Sequence, residues 1–87
     1  MKELSFEIKD KIGLHARPAG VLATSAKSFE CEITVKCDGK EANAKRLLSL
    51  MSLGATGGST LHFTFDGEDE EKALEKISEV LNEQLGK

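Results

Sequence analysis

The sequence predicts an open two-layer α+β sandwich: a four-stranded, mostly antiparallel sheet with three helices on one face, in the order βαββαβα. Three observations predict it. Four stretches alternate with period two and carry apolar residues on one face only, the pattern of half-buried strands. Three other stretches repeat apolar residues at helical spacing. A sheet with one face left to water is built from antiparallel strands, with the helices gathered on the other face. No linker, repeat or low-complexity segment interrupts the 87 residues, so residues 1–87 are expected to form a single domain.

Each element follows from its residues. Leu4, Phe6 and Ile8 alternate with Ser5, Glu7 and Lys9 to give the first strand, and the chain turns through Asp10-Lys11-Ile12-Gly13. From Ala16 to Lys27 the apolar positions become Ala19, Leu22, Ala23 and Ala26, followed by Phe29. Pro18 lies in the first turn of that helix, where a missing N–H costs nothing. Gly20 is a poor helix residue, unfavourable by up to about 1 kcal/mol against alanine, and suggests a close approach to the helix. Cys31, Ile33, Val35 and Cys37 form the buried face of the second strand. Asp38-Gly39 then tolerates the positive φ of a type I′ hairpin turn. Lys40 to Ala44 returns as a short, polar edge strand. A short helix runs from Lys45 to Leu53 and stops at Gly54. After a glycine-containing loop, Leu61, Phe63 and Phe65 alternate with His62, Thr64 and Asp66 in the fourth strand. Asp69 is placed to cap the last helix, with Glu70 and Glu71 at the positive end of its dipole. Its apolar stripe is Ala73, Leu74, Ile77, Val80, Leu81 and Leu85.

Composition excludes several classes. Apolar residues make up 39% and charged residues 31% of the chain, as in an ordinary globular protein. Twelve basic and 15 acidic residues give a net charge of −3, which argues against nucleic acid as a partner. No apolar run approaches the roughly 18 residues of a membrane span, and no signal peptide is visible, so a cytoplasmic chain without direct membrane insertion is expected. Cys31 and Cys37 stand six residues apart in one strand, about 20 Å, whereas a disulfide needs Cα atoms within about 7 Å. They are read as small buried hydrophobes of a reducing compartment.

The chemistry concentrates at Gly13-Leu14-His15-Ala16-Arg17-Pro18-Ala19. His15 falls where a loop enters the first helix. The first N–H groups of a helix lack internal partners, and the dipole makes that end a receptor for anions. A neutral imidazole there has a lone pair able to attack phosphorus. The acquired phosphoryl group would meet the amides of Ala16 and Arg17 and the guanidinium of Arg17, whose planar fork suits phosphate oxygens. Pro18 pre-sets the turn. On residues alone, a surface histidine weakly capping its helix is the commoner reading. His62 is expected to be solvated on the exposed strand face. Neither histidine has the Cys or carboxylate neighbours of a metal site, and no cofactor is implied. The short helix carries Leu47, Leu48, Leu50, Met51 and Leu53 on more than one face. With Leu50 and Leu53 buried, Leu47, Leu48 or Met51 is left exposed, either as a docking patch rimmed by Lys45 and Arg46 or as further core.

The chain resembles the HPr family, the histidine-containing phosphocarriers of the bacterial phosphoenolpyruvate:sugar phosphotransferase system. The resemblance spans essentially all of it and rests on GLHARPA at 13–19, NAKRLLSLMSLG at 43–54 and GEDEEKA at 67–73. It implies the open-faced sandwich described above and phosphorylation of His15 on Nδ1 by enzyme I. It also implies onward transfer to the enzyme IIA domains of sugar permeases, by a stoichiometric monomeric carrier rather than a turnover enzyme. Arg17 would stabilise the phosphoryl group, the Ala16 and Arg17 amides would bind it, and Gly20, Leu47, Leu48 and Met51 would form the docking surface. One position departs. Arg46 stands where the family usually carries a serine that a regulatory kinase phosphorylates, so that switch is expected to be missing. A paralogue in another phosphorelay and a non-catalytic regulatory adaptor are the alternative readings.

Overall fold

The computed structural model describes residues 1–86. The elements are β1 (Lys2–Glu7), α1 (Ala16–Lys27), β2 (Glu32–Cys37), β3 (Lys40–Asn43), α2 (Leu47–Met51), β4 (Thr60–Asp66) and α3 (Glu70–Leu85), which is the expected βαββαβα order. The strands lie in the order β1-β4-β2-β3 and every pairing is antiparallel. Leu4 faces Phe63 and Phe6 faces Leu61 across the first pair. Ile33 faces Phe65 and Val35 faces Phe63 across the pair of β2 and β4. One apolar row therefore crosses the sheet, and the helices close over it.

The core explains the pattern. Leu61, Phe63 and Phe65 of the central strand β4 are fully buried. The rings of Phe63 and Phe65 stack with centroids 6.1 Å apart. Ile33 and Val35 extend this layer, with Leu22 and Ala26 of α1 and Ile77 and Leu81 of α3 in the same cluster. Leu4 and Phe6 are only half-buried because β1 is an edge strand, while Ile8, just past its end, is buried. Cys31 and Cys37 are buried and free, as expected. Burial, aided by the neighbouring Asp69 carboxylate, pushes the Cys31 thiol up to about 11. Asp38 and Gly39 have φ of 49° and 81°, the positive values the hairpin turn needs.

Three local expectations change. The short helix begins at Leu47, not Lys45. The Asn43 side chain accepts the Lys45 N–H (2.9 Å) and the Asn43 carbonyl accepts the Arg46 N–H (3.0 Å). Lys45 is drawn away to donate from Nζ to the Phe29 carbonyl at 2.7 Å. These bonds hold a turn where local preference allows a helix. Beyond Met51 the helix likewise ends before Leu53, and Gly54 stops it with φ of 64°. Finally, Asp69 stands at the N-cap position of α3, but its carboxylate makes no capping bond. It accepts the backbone N–H groups of Glu30 (2.8 Å) and Cys31 (2.9 Å), fastening the start of α3 to the entry of β2. Those bonds, the one from Glu30 foremost, hold the Asp69 carboxyl below its ordinary range.

Candidate functional site

His15 is the N-cap residue of α1. Its backbone is extended, with φ −92° and ψ −172°, and its side chain makes no capping bond. Its carbonyl accepts the first helical hydrogen bond, from the Ala19 N–H at 3.0 Å. Ala16 and Arg17 precede that bond, so their N–H groups have no intrahelical acceptor, and Pro18 has no N–H at all. Two donors are thus aimed outward beside the imidazole. Pro18 and Ala19 are buried, which anchors the first turn, whereas His15 is partly buried and Arg17 exposed. Among the described residues no carboxylate pairs with Arg17. Its guanidinium is available to an incoming anion.

The loop that delivers His15 is tightly defined. Gly13 has φ of +86°, a backbone conformation that side chains with a Cβ rarely adopt. Its carbonyl accepts the His15 N–H at 3.0 Å, and the Leu14 N–H donates to the Ala55 carbonyl at 3.0 Å. Leu14 is buried beneath the site. The Asp10 carboxylate accepts the Ile12 N–H at 2.9 Å, closing the preceding turn.

Around His15 lies an apolar surface. Among the described residues six large hydrophobic side chains are exposed, and only Met1 belongs to another region. Leu48 is 80% and Ile12 67% exposed, while Leu47, Met51 and Val21 stand close to 40%. Leu50 and Leu53 face inward, as their spacing predicts. The docking residues inferred from sequence are therefore assembled on one side of the fold, because α1 packs against α2. Ile12 and Val21 escaped the sequence reading. Ile12 lies in a turn and Val21 off the buried stripe of α1, and an apolar residue outside a buried stripe is the signal the sequence carries for them. At Gly20 an added Cβ would meet nothing within 4 Å. The packing of the fold itself therefore does not require glycine there.

The remaining singled-out residues lie apart or are locally occupied. His62 is exposed on the open face of the sheet, its Nδ1 3.0 Å from Ser5 Oγ, on the opposite side from the helices. Arg46 is the exposed N-cap of α2 and makes no capping bond. Ser49 Oγ accepts the Asn43 N–H at 3.2 Å, and Ser52 Oγ donates to the Ser49 carbonyl at 2.6 Å.

Comparison with known proteins agrees with this geometry. The family model described as the PTS HPr component phosphorylation site matches residues 2–83. The HPr-like protein Crh of Halalkalibacterium halodurans is 43% identical over 77 residues, covering 88% of this chain and 92% of that protein. The Mycoplasma histidine-containing phosphocarrier protein superposes with a TM-score of 0.94 at 32% identity, covering 99% of this chain and all of the other. An HPr of Thermoanaerobacter tengcongensis, solved as a dimer, superposes with a TM-score of 0.77 at 39% identity and complete coverage of both chains. With the matched sequence, the shared fold and a histidine at the family's helix start, the chain belongs to the HPr family of phosphocarriers.

Proposed function

We propose that this protein accepts a phosphoryl group on Nδ1 of His15 from phospho-enzyme I and passes it to enzyme IIA domains of sugar permeases in the cytoplasm. The supporting observation is the conjunction at the start of α1: an uncapped imidazole, two outward backbone donors and an unpaired guanidinium, ringed by exposed apolar side chains. As the donor's bond to phosphorus breaks, the His15 lone pair forms the new N–P bond. The Ala16 and Arg17 amides and the Arg17 fork take up the charge of the phosphoryl oxygens. Leu47, Leu48 and Met51, with Ile12, Val21 and the vacancy at Gly20, seat the partner. The protein is consumed and regenerated stoichiometrically. Incubation with phosphoenolpyruvate and enzyme I should add one acid-labile, alkali-stable phosphoryl group that His15→Ala abolishes. Absence of uptake by wild type with enzymes I from several sources overturns the reading.

A second reading is favoured by two observations, the HPr-like protein Crh among the relatives and Arg46 at the family's usual serine. In it the chain is a regulatory adaptor, or a carrier in another relay, docking through α2. Arginine accepts no phosphate and carries the charge opposite to phosphoserine, so serine-kinase control at position 46 is absent in either case. Pull-downs separate the readings. An adaptor loses its partners with Leu48→Glu and functions normally as His15→Ala. Each chain carries its own His15, amides and docking residues, so the reading takes the monomer as the active species. Sedimentation of the phosphorylated protein distinguishes it from a dimer like that of the Thermoanaerobacter relative.

A further inference from the structure

Gly13 and Gly57 differ from the glycines that only relax a turn. A Cβ on Gly13 would lie 2.5 Å from Thr56 Cα and press on the Ala55 carbonyl oxygen. A Cβ on Gly57 would lie 2.9 Å from the Asp10 carbonyl oxygen and 3.1 Å from Lys11 Cα. The obstacles are backbone atoms, which cannot swing aside as a side chain can. At Gly39, Gly54 and Gly58, by contrast, φ is positive and the space for a Cβ is open.

The two glycines face each other across a seam. On one side runs the loop that ends in His15, and on the other the loop that leaves α2 at Gly54. Leu14 N–H donates to the Ala55 carbonyl (3.0 Å), Gly58 N–H to the Ile8 carbonyl (2.9 Å) and Ile8 N–H to the Ser59 carbonyl (2.9 Å). From behind, the Leu85 carbonyl at the end of α3 accepts the N–H groups of Lys9 (2.8 Å) and Asp10 (3.2 Å).

We infer that Gly13 and Gly57 are positioning residues for phosphoryl transfer: their missing side chains let the His15 loop lie on the loop leaving α2, so that acceptor and docking helix form one rigid surface. The inference rests on the phosphocarrier reading. A partner seated on Leu47, Leu48 and Met51 finds the imidazole at a set distance only if this seam is closed. A displacement of about 1 Å at a reacting atom can cost on the order of 100-fold in rate. An added methyl forces the two loops apart on that scale while leaving Leu47, Leu48 and Met51 of α2 in place.

The test varies this protein as substrate in steady-state transfer from phosphoenolpyruvate through enzyme I. Gly13→Ala should lower kcat by about tenfold or more and Gly57→Ala by several-fold, with KM within about twofold of wild type. In both variants the amide NMR signals of residues 11–15 should shift. Gly39→Ala, strained in the same left-handed region but remote in the hairpin, should lose stability and transfer at the wild-type rate. Wild-type kcat in both seam variants, or a raised KM with unchanged kcat, overturns the inference. Should Gly13→Ala fail to fold, Gly57→Ala decides, since no left-handed backbone is demanded there. Failure of the phosphocarrier reading is distinguishable, because wild type itself then takes up no phosphoryl group, and the inference falls with it.

Discussion

Arg17 and Asp69 show how differently two exposed or half-exposed charges can act. Arg17 is exposed and unpaired among the described residues, so the fold does not depend on it. In the proposed function its guanidinium binds the phosphoryl group, and charge-assisted hydrogen bonds are worth about 1.5–3 kcal/mol. Arg17→Ala should slow phosphotransfer by roughly ten- to 100-fold while changing unfolding stability by no more than about 0.5 kcal/mol. Transfer kinetics beside urea denaturation check both halves. Asp69 is bound inward instead, where the Glu30 and Cys31 amides keep its carboxyl ionised to lower pH than in an unfolded chain. Between the two values the unfolded state holds more protons, so stability rises with pH there. The contribution is present above the ordinary carboxylate value of about 3.9 and is lost as pH falls through the depressed one. Thermal melts between pH 2 and 7 should therefore show a shallower acid limb in Asp69→Asn than in wild type. Equal acid limbs would sink this assignment.

At the scale of elements, α2 holds both classes of apolar residue within one short helix. Leu50 is fully buried beneath it, and Leu48 projects with 80% of its surface exposed. Leu50→Ala should destabilise the fold by about 2–5 kcal/mol through the cavity it leaves. Leu48→Glu should alter stability by no more than about 0.5 kcal/mol yet weaken partner binding by more than about tenfold. Denaturation and titration calorimetry of the two variants check the contrast. The division was legible in the sequence, because five apolar residues cannot share one face of so short a helix. Where the helix starts was not. Lys45 and Arg46 are good helix formers, and only the bonds to Asn43 and Phe29 hold them in a turn. Likewise Asp69 looks like a helix cap in its local sequence, but Glu30 and Cys31 lie 39 and 38 residues away in the chain.

Across the molecule, charge is strongly segregated. Segments 8–27 and 43–58, which hold the His15 loop, α1 and α2, contain six basic residues and one acid. The other 14 acids and six basic residues lie outside them, so these segments are net positive and the remainder of the chain net negative. The overall −3 conceals this arrangement. Such a distribution orients the protein in the field of an acidic partner and raises the encounter rate. The association rate constant with enzyme I should fall several-fold between about 50 and 500 mM salt, while dissociation, governed by the apolar contacts, changes less. Stopped-flow measurements across that range check it, and a flat association rate would refute steering.

The sequence by itself determined the order of elements, the antiparallel sheet with one wet face, and the placing of His15, Arg17 and Pro18 at a helix start. Those features are written in periods of two and 3.6 residues and in the residues that open helices, all within a few positions along the chain. Only the tertiary structure decided that Ile12 and Val21 are exposed with the apolar side chains of α2, that Asp69 clamps β2, and that Gly13 lies on Ala55 and Thr56. Each depends on segments distant in sequence coming within a few ångströms, and no local pattern encodes that approach. The candidate site is therefore half local and half assembled: His15, Arg17 and the free amides come from one short stretch, and the apolar surface around them comes from packing.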